Sequence, residues 1–418
     1  MHFSFFTKTA CAITIDSSFI RIVCVSDDDQ VQQAIIVPTP PNTFVRERIV
    51  DVTSLAAVIQ PALAPLHPRP SRVSFCLPDS SCFIHRFAVA AHKDEKMIQA
   101  AIVDQASTLI PADHNTVLFD YRKDMPIDGK AETITVVYVS ALREIIAQYK
   151  ALAAECKVAV EFLGVEGLAL KEVLLIKQAD ASKAQTRMLV TMNHFGANFN
   201  VFNVKDEFLF SGTVPFLTDN LTAKTLQLLT IQISGTNETS VPSLQLNTAK
   251  PEEVTALQNA VQSFVNEIKA AQAHAETVLH VRIDAIILAG EIARVQNIAL
   301  YFSKLLAIPV VIGDPLLLFS KSASMFGTDN PAILCATALG TAVLDLSRDK
   351  QDTINLLRRD IQEKEVPKEV SFGDRVEALA QQESRALLHK KIAAICFTVI
   401  TFGILVFVVY KYVIAPFL

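Results

Sequence analysis

The chain has 418 residues, a formal net charge of −5 and an isoelectric point near 6.0. That length exceeds one compact core, so two or more lobes are expected. The acidic balance, with no Lys/Arg-rich stripe, excludes a general nucleic-acid binder. Hydrophobic residues make up 51% and charged residues 19%, and part of the apolar excess is concentrated in the run 392–410.

The rest alternates between short β-type runs and helical patterns, the signature of an α/β body. Residues 12–16 and 19–25 read as two strands joined by the turn Ser17-Ser18, and 33–37 follows as a third after Asp27, Asp28 and Asp29. A helix is expected over 53–66 with Thr53 or Ser54 as N-cap, then a strand over 73–77. Strands over 83–89, 116–122, 133–139 and 159–165 are interleaved with helices over 93–110, 142–156 and 168–178. The polar stretch 179–186 reads as a hinge. Beyond it the opening pattern returns as strands 188–191, 198–203 and 207–213. Helices over 217–234 and 251–276, strand 285–289, helix 295–306, strand 310–312 and helix 332–344 follow. A meander followed by helices, occurring twice, indicates an internal duplication. Residues 347–389 are charged and poor in aromatics, as a stalk would be.

Seven scattered cysteines without a C-x-x-C pair argue against a disulfide framework and suit a reducing compartment. Residues 1–10 lack the apolar core of a secretory signal. The nineteen uncharged residues 392–410, at about 1.5 Å each, give roughly 28 Å, close to the thickness of a bilayer's hydrocarbon core. Tyr410 and Tyr412 stand where interfacial aromatics belong. Arg375, Arg385, Lys390 and Lys391 precede the run and only Lys411 follows it, which places the large body in the cytoplasm.

Two meander lobes facing a cleft match the actin-like (ribonuclease H-like) two-lobed ATPase fold. The succession of segments over 12–344 resembles the PilM family of type IV pilus assembly proteins, relatives of the division protein FtsA. The resemblance rests on several segments. Thr14-Ile-Asp-Ser-Ser-Phe-Ile-Arg-Ile-Val23 is similar to the family's first phosphate loop. Val37-Pro-Thr-Pro-Pro41 with Arg48-Ile-Val-Asp51 is similar to the segment before its first helix. Residues 98–111 are similar to a helix ending in proline, and Ile286-Ile-Leu-Ala-Gly290 with 308–316 to the adenosine-side strand and the loop beyond. It implies a first actin-like subdomain over 1–77 and an FtsA/PilM-type extra subdomain over 78–178 that returns to lobe one near its end. The second actin-like lobe spans 187–345, and the stalk 346–391. A single C-terminal transmembrane helix at 392–410 and an extracytoplasmic tail at 411–418 complete the chain. Within the stalk, 353–360 resembles the cytoplasmic peptide of PilN, and Ile354, Asn355, Leu356 and Leu357 would dock on the body, in cis or from a neighbouring copy.

The resemblance implies ATP with Mg²⁺ as cofactor and a vestigial nucleotide-binding set of Asp16, Ser17, Ser18, Gly196 and Gly290. Several family features are missing. No glycine follows Asp16, the second loop offers Asn193 and His194 instead of a carboxylate, and Gly290 is followed by Glu291, which would repel phosphate. The expectation is therefore a non-hydrolysing body with no catalytic residues and no cofactor. The nine histidines show no metal-ligand spacing, and no metal is expected. The expected function is a membrane-anchored cytoplasmic scaffold at the inner membrane, in the assembly platform of a type IV pilus or a related type II secretion system. Its expected partners are PilN/PilO-like proteins, an assembly ATPase and further copies of itself. An active ATPase of the same platform and an FtsA-like division protein are the alternatives.

Overall fold

The computed structural model describes residues 8–92, 94–112, 114–124, 132–175, 185–192, 196–215, 229–233, 242–246, 251–319, 322, 326, 331–347 and 353–358. The first sheet is built from β1 (Thr9–Ile15), β2 (Phe19–Ser26), β3 (Val31–Pro38), β6 (Arg72–Leu77) and β10 (Ala159–Val165), in the order β10-β6-β1-β2-β3. The two-residue strands β4 (Phe44–Val45) and β5 (Arg48–Ile49) pair with each other. β1, β2 and β3 are antiparallel, while β6 and β10 run parallel to β1. Every residue of β1 after Thr9 is buried, because helices cover both faces of this sheet. Those helices include α1 (Val52–Leu63) and α3 (Arg143–Glu155). The N-cap of α1 is Asp51 and not the expected Thr53 or Ser54; its carboxylate accepts the Ser54 N–H at 3.0 Å.

A smaller antiparallel sheet intervenes in the chain, with β7 (Cys82–Ala90), β8 (Val117–Asp124) and β9 (Thr133–Leu142) in the order β7-β9-β8. Helix α2 (Glu95–Leu109) packs on it through Ile98, Ile102 and Ala106, against Val89, Ile134, Val136 and Tyr138. The helix after β10 is α4 (Glu166–Leu174).

The second large sheet repeats the first. β11 (Arg187–Met192), β12 (Gly196–Phe202) and β13 (Phe208–Pro215) form an antiparallel meander. β16 (Ala285–Gly290) and β17 (Val310–Ile312) extend it in parallel, giving β13-β12-β11-β16-β17. α5 (Pro251–Leu279) and α6 (Ile298–Leu306) bury Phe264 and Phe302 on its outer face. Two sheets of the same order and sense fit the duplication read from the pattern.

The helix expected over 217–234 is corrected at its end: β14 (Leu229–Ile233) pairs with β15 (Pro242–Leu246). Leu229, Ile231 and Ile233 alternate at period two, the strand signal that a helical reading overlooks; 216–228 lie outside the described residues. The helix expected over 295–306 is broken, since Asn297 adopts a left-handed conformation before α6. The last helix, α7 (Ala336–Leu346), begins after the short turn Pro331–Ile333. Among the described residues no helix is long and apolar enough to cross a membrane; the span expected at 392–410 lies outside them, as does most of the hinge 179–186. Six cysteines of the described residues are free thiols.

α4 and α7 lie in close contact in the middle of the body. A Cβ on Gly340 of α7 would stand 1.9 Å from the Ala169 carbonyl oxygen of α4. Nearby, Ser74 on β6 donates to the buried Asp345 carboxylate at 2.7 Å. Gly340→Ala must force the two backbones apart. It should lower unfolding free energy by about 1–3 kcal/mol, the usual cost of overpacking, in denaturant titration. A variant as stable as wild type would refute the contact.

Candidate functional site

The turn between β1 and β2 carries Asp16, Ser17 and Ser18. One Asp16 oxygen accepts the backbone N–H groups of Ser18 and Phe19, each at 2.7 Å, which closes the turn without a glycine. The other oxygen takes a charge-assisted hydrogen bond from Arg21. Arg21 is the one charged residue in an otherwise apolar strand, Phe19-Ile-Arg-Ile-Val-Cys-Val, and only 6% of it is exposed. Its second nitrogen lies 3.5 Å from Glu291, just beyond β16 of the second lobe. Burial alone would lower the guanidinium's pKa. Asp16, by charge and hydrogen bond, and then Glu291 outweigh that, so the net shift is upward.

Asp16, Ser17, Ser18 and Gly290 line one cleft, with Glu47, Glu166, Glu291 and Arg21. The cleft has a volume of about 90 Å³ and is partly open. Thr14 and Thr191 line it, and their buried hydroxyls have no hydrogen-bond partner among the described residues. Gly290 has φ +78°, and a Cβ there would meet the Met192 carbonyl at 3.3 Å, so a side chain would be strained. Gly196 opens β12 opposite Pro215 and does not line the cleft. Asn193 and His194 lie outside the described residues.

Behind the cleft runs a polar seam between the lobes. Asp79, two residues after β6, accepts the Gly167 N–H at 2.9 Å and the Asn200 amide at 2.6 Å. Glu166, at the first turn of α4, accepts the Asn198 amide at 2.9 Å. Asn198 and Asn200 are alternate residues of β12 and fully buried, so both reach across to lobe one. Burial pushes the Glu166 carboxyl up to about 8, with Asp79 and Glu47 adding repulsion and Asn198 opposing it. Burial likewise raises Asp79 to about 6 against the Gly167 and Asn200 donors, and Glu291 to about 7, where Asp16 adds to it and Arg21 opposes it. The sequence reading missed Arg21, Asp79 and Glu166. The first had a signal, a charge inside a buried strand.

Residues 353–358 occupy a groove between the edge strands β8 and β10. Ile354, Leu356 and Leu357 are buried and join the apolar cluster of Leu118, Leu163 and Leu168. The Leu356 N–H donates to Leu163 O at 3.1 Å, and Leu163 N–H donates to the Asn355 side-chain oxygen at 3.1 Å. The Asn355 amide nitrogen in turn reaches Glu161 O at 3.4 Å. Asn355 thus imitates a strand rung where β10 is irregular between Val160 and Phe162. Asp120 on β8, 2% exposed, receives the Asn355 N–H at 2.8 Å and pairs with Arg358 at 3.2 Å. This part of the expected stalk is therefore packed on the body.

The family model for the type IV pilus assembly protein PilM matches residues 12–342. No curated protein sequence is similar enough to count as a match. A solved PilM-PilN type IV pilus biogenesis complex is similar in structure, with TM-score 0.66 and 15% identity over 81% of this chain and 98% of that one. The ethanolamine utilization protein EutJ from Carboxydothermus hydrogenoformans aligns with TM-score 0.41 and 9% identity, covering 80% of this chain and 89% of that one. MreB5 of Spiroplasma citri bound to ADP aligns with TM-score 0.38 and 9% identity, covering 85% and 98%.

The seam sets a pH dependence. A carboxyl with a raised folded pKa costs stability as it ionises, so the contribution of these three groups is fully present below the ordinary carboxylate range. That stability is lost as pH rises through about 6, 7 and 8 for Asp79, Glu291 and Glu166. Glu166→Gln keeps an acceptor for Asn198 without the charge. It should flatten the upper part of the profile and gain on the order of 1–3 kcal/mol at pH 9. Unfolding titrations at pH 6 and 9 that change equally in both proteins would contradict this.

Proposed function

The chain belongs to the type IV pilus assembly protein PilM family, and on that premise we propose that it is a non-hydrolysing, membrane-anchored scaffold of a pilus or type II secretion assembly platform. The bulk of the chain works in the cytoplasm and 392–410 spans the inner membrane. The observation that carries the reading is the seating of 353–358 in the β8–β10 groove. Burying Ile354, Leu356 and Leu357 contributes about 1.5–3 kcal/mol each. Asn355 and the Asp120–Arg358 pair fix register and direction. The similar solved structure is a complex of PilM with PilN, and on this reading the PilN-like segment is supplied by the chain itself. PilO-like proteins, an assembly ATPase and further copies of the chain are the remaining partners of this reading.

The cleft supports the non-hydrolysing part. Mg-ATP needs cationic or backbone donors for its phosphates and far more room, since small-molecule sites typically hold about 300–1,000 Å³. Here Arg21 engages Asp16, while Glu47, Glu166 and Glu291 bring carboxyl groups where phosphates need donors, and the cleft holds about 90 Å³. These residues do not fit a nucleotide with its metal. An active ATPase is the second reading, favoured by the buried, unpartnered hydroxyls of Thr14 and Thr191 at the cleft.

Two measurements separate these ideas. A labelled 353–360 peptide should bind the full chain poorly, because the groove is already filled, and should bind at least tenfold better once Leu356→Asp/Leu357→Asp expels the native segment. Adding Asp120→Ala should remove that gain, and equally poor binding by all three proteins would end the groove reading. Millimolar Mg-ATP should leave the thermal midpoint unmoved; stabilisation abolished by Asp16→Ala would establish the ATPase instead.

A further inference from the structure

Cys11 on β1 and Cys24 on β2 stand directly opposite each other in the antiparallel ladder. At the turn the Asp16 N–H donates to Phe19 O, so 16 and 19 form a hydrogen-bonded pair. Hydrogen-bonded and non-hydrogen-bonded pairs alternate along such a ladder. Counting back five rungs makes Cys11 and Cys24 a non-hydrogen-bonded pair. There the Cα atoms lie about 4.5 Å apart and the side chains lean together, within the roughly 4.4–6.8 Å that a disulfide spans. The two sulfurs are 2.9 Å apart.

The two thiols also differ in acidity. Burial raises Cys76, Cys82, Cys156 and Cys335. Cys24 is instead lowered by the hydrogen bond with Cys11, against the effect of burial, while Cys11 is raised. Cys24 is therefore the more acidic thiol of the pair, and a thiolate is the form that reacts.

We propose that Cys11 and Cys24 are a redox-modification site that closes to a reversible intramolecular disulfide, with a hydroperoxide as oxidant. Exposure of 4% and 7% admits a small oxidant and shuts out a bulky thiol carrier. The Cys24 thiolate attacks one peroxide oxygen, the O–O bond breaks, and the departing hydroxide takes a proton to become water. The Cys11 thiol then attacks the sulfenic sulfur of Cys24. The S–O bond breaks, the S–S bond forms, and the thiol proton leaves with the hydroxyl as a second water. The sulfur pair gives up two electrons and the peroxide accepts them. The effect of the disulfide is to pin the hairpin that presents Asp16, Ser17 and Ser18, whichever reading of the cleft holds.

The test uses the native full chain treated with hydrogen peroxide, quenched, denatured and alkylated. Of the seven cysteines, all should label in the reduced protein and all but two after oxidation. Peptide mapping should return one linked pair, Cys11 with Cys24, that dithiothreitol abolishes. In Cys11→Ser, a sulfenic-acid-specific nucleophile should tag Cys24. Full labelling after oxidation, a linked pair of other cysteines, or no tag on Cys24 in the variant would each overturn the proposal.

Discussion

One guanidinium, buried between a carboxylate of each lobe, holds the cleft of this protein in its present form. Arg21 rises from the middle of β2, engages Asp16 at the turn and reaches Glu291 at the end of β16. A cation tethered to the fold needs no diffusible partner to neutralise the acids around it. The Asp79–Asn200 and Glu166–Asn198 bonds extend the same junction inward. These side chains come from β2 and β12, from the turns after β1, β6 and β16, and from the start of α4, and only the paired sheets bring them together.

The groove and the cleft share a strand and the helix after it. Leu163 of β10 exchanges hydrogen bonds with the 353–358 segment, and three residues later Glu166 opens α4 and enters the inter-lobe seam. α4 in turn lies flush against α7, with Gly340 leaving no room between them. The peptide site is thus joined to a closely packed helix pair, where a displacement is felt at once.

Much of this was legible in the sequence because it is local. Period-two runs gave the meanders, Asp16 announced a turn, and Leu356 and Leu357 were apolar within a charged segment. The misreadings share a cause. Leu229, Ile231 and Ile233 belong to a strand only because 242–246 lies beside them. Asp79, Glu166, Asn198 and Asn200 are ordinary polar residues until the fold buries them together. Asp120 likewise acquires meaning only when β8 comes to lie along residues some 235 positions distant. Partners this far apart leave no periodic trace.

The way Asn355 closes the edge of β10 has a consequence for solubility. A sheet margin with open amides and carbonyls invites another strand, and strand after strand can then accumulate into fibrils. Here the rung is completed by a side-chain amide at an irregular strand, and the segment turns away at once, with Arg358 N–H bonded to Asn355 O. At Glu161 and Leu163 the edge is already occupied. The same six residues that fill the groove therefore act as a stopper against runaway polymerisation, at the one margin of the first sheet where parallel strands end.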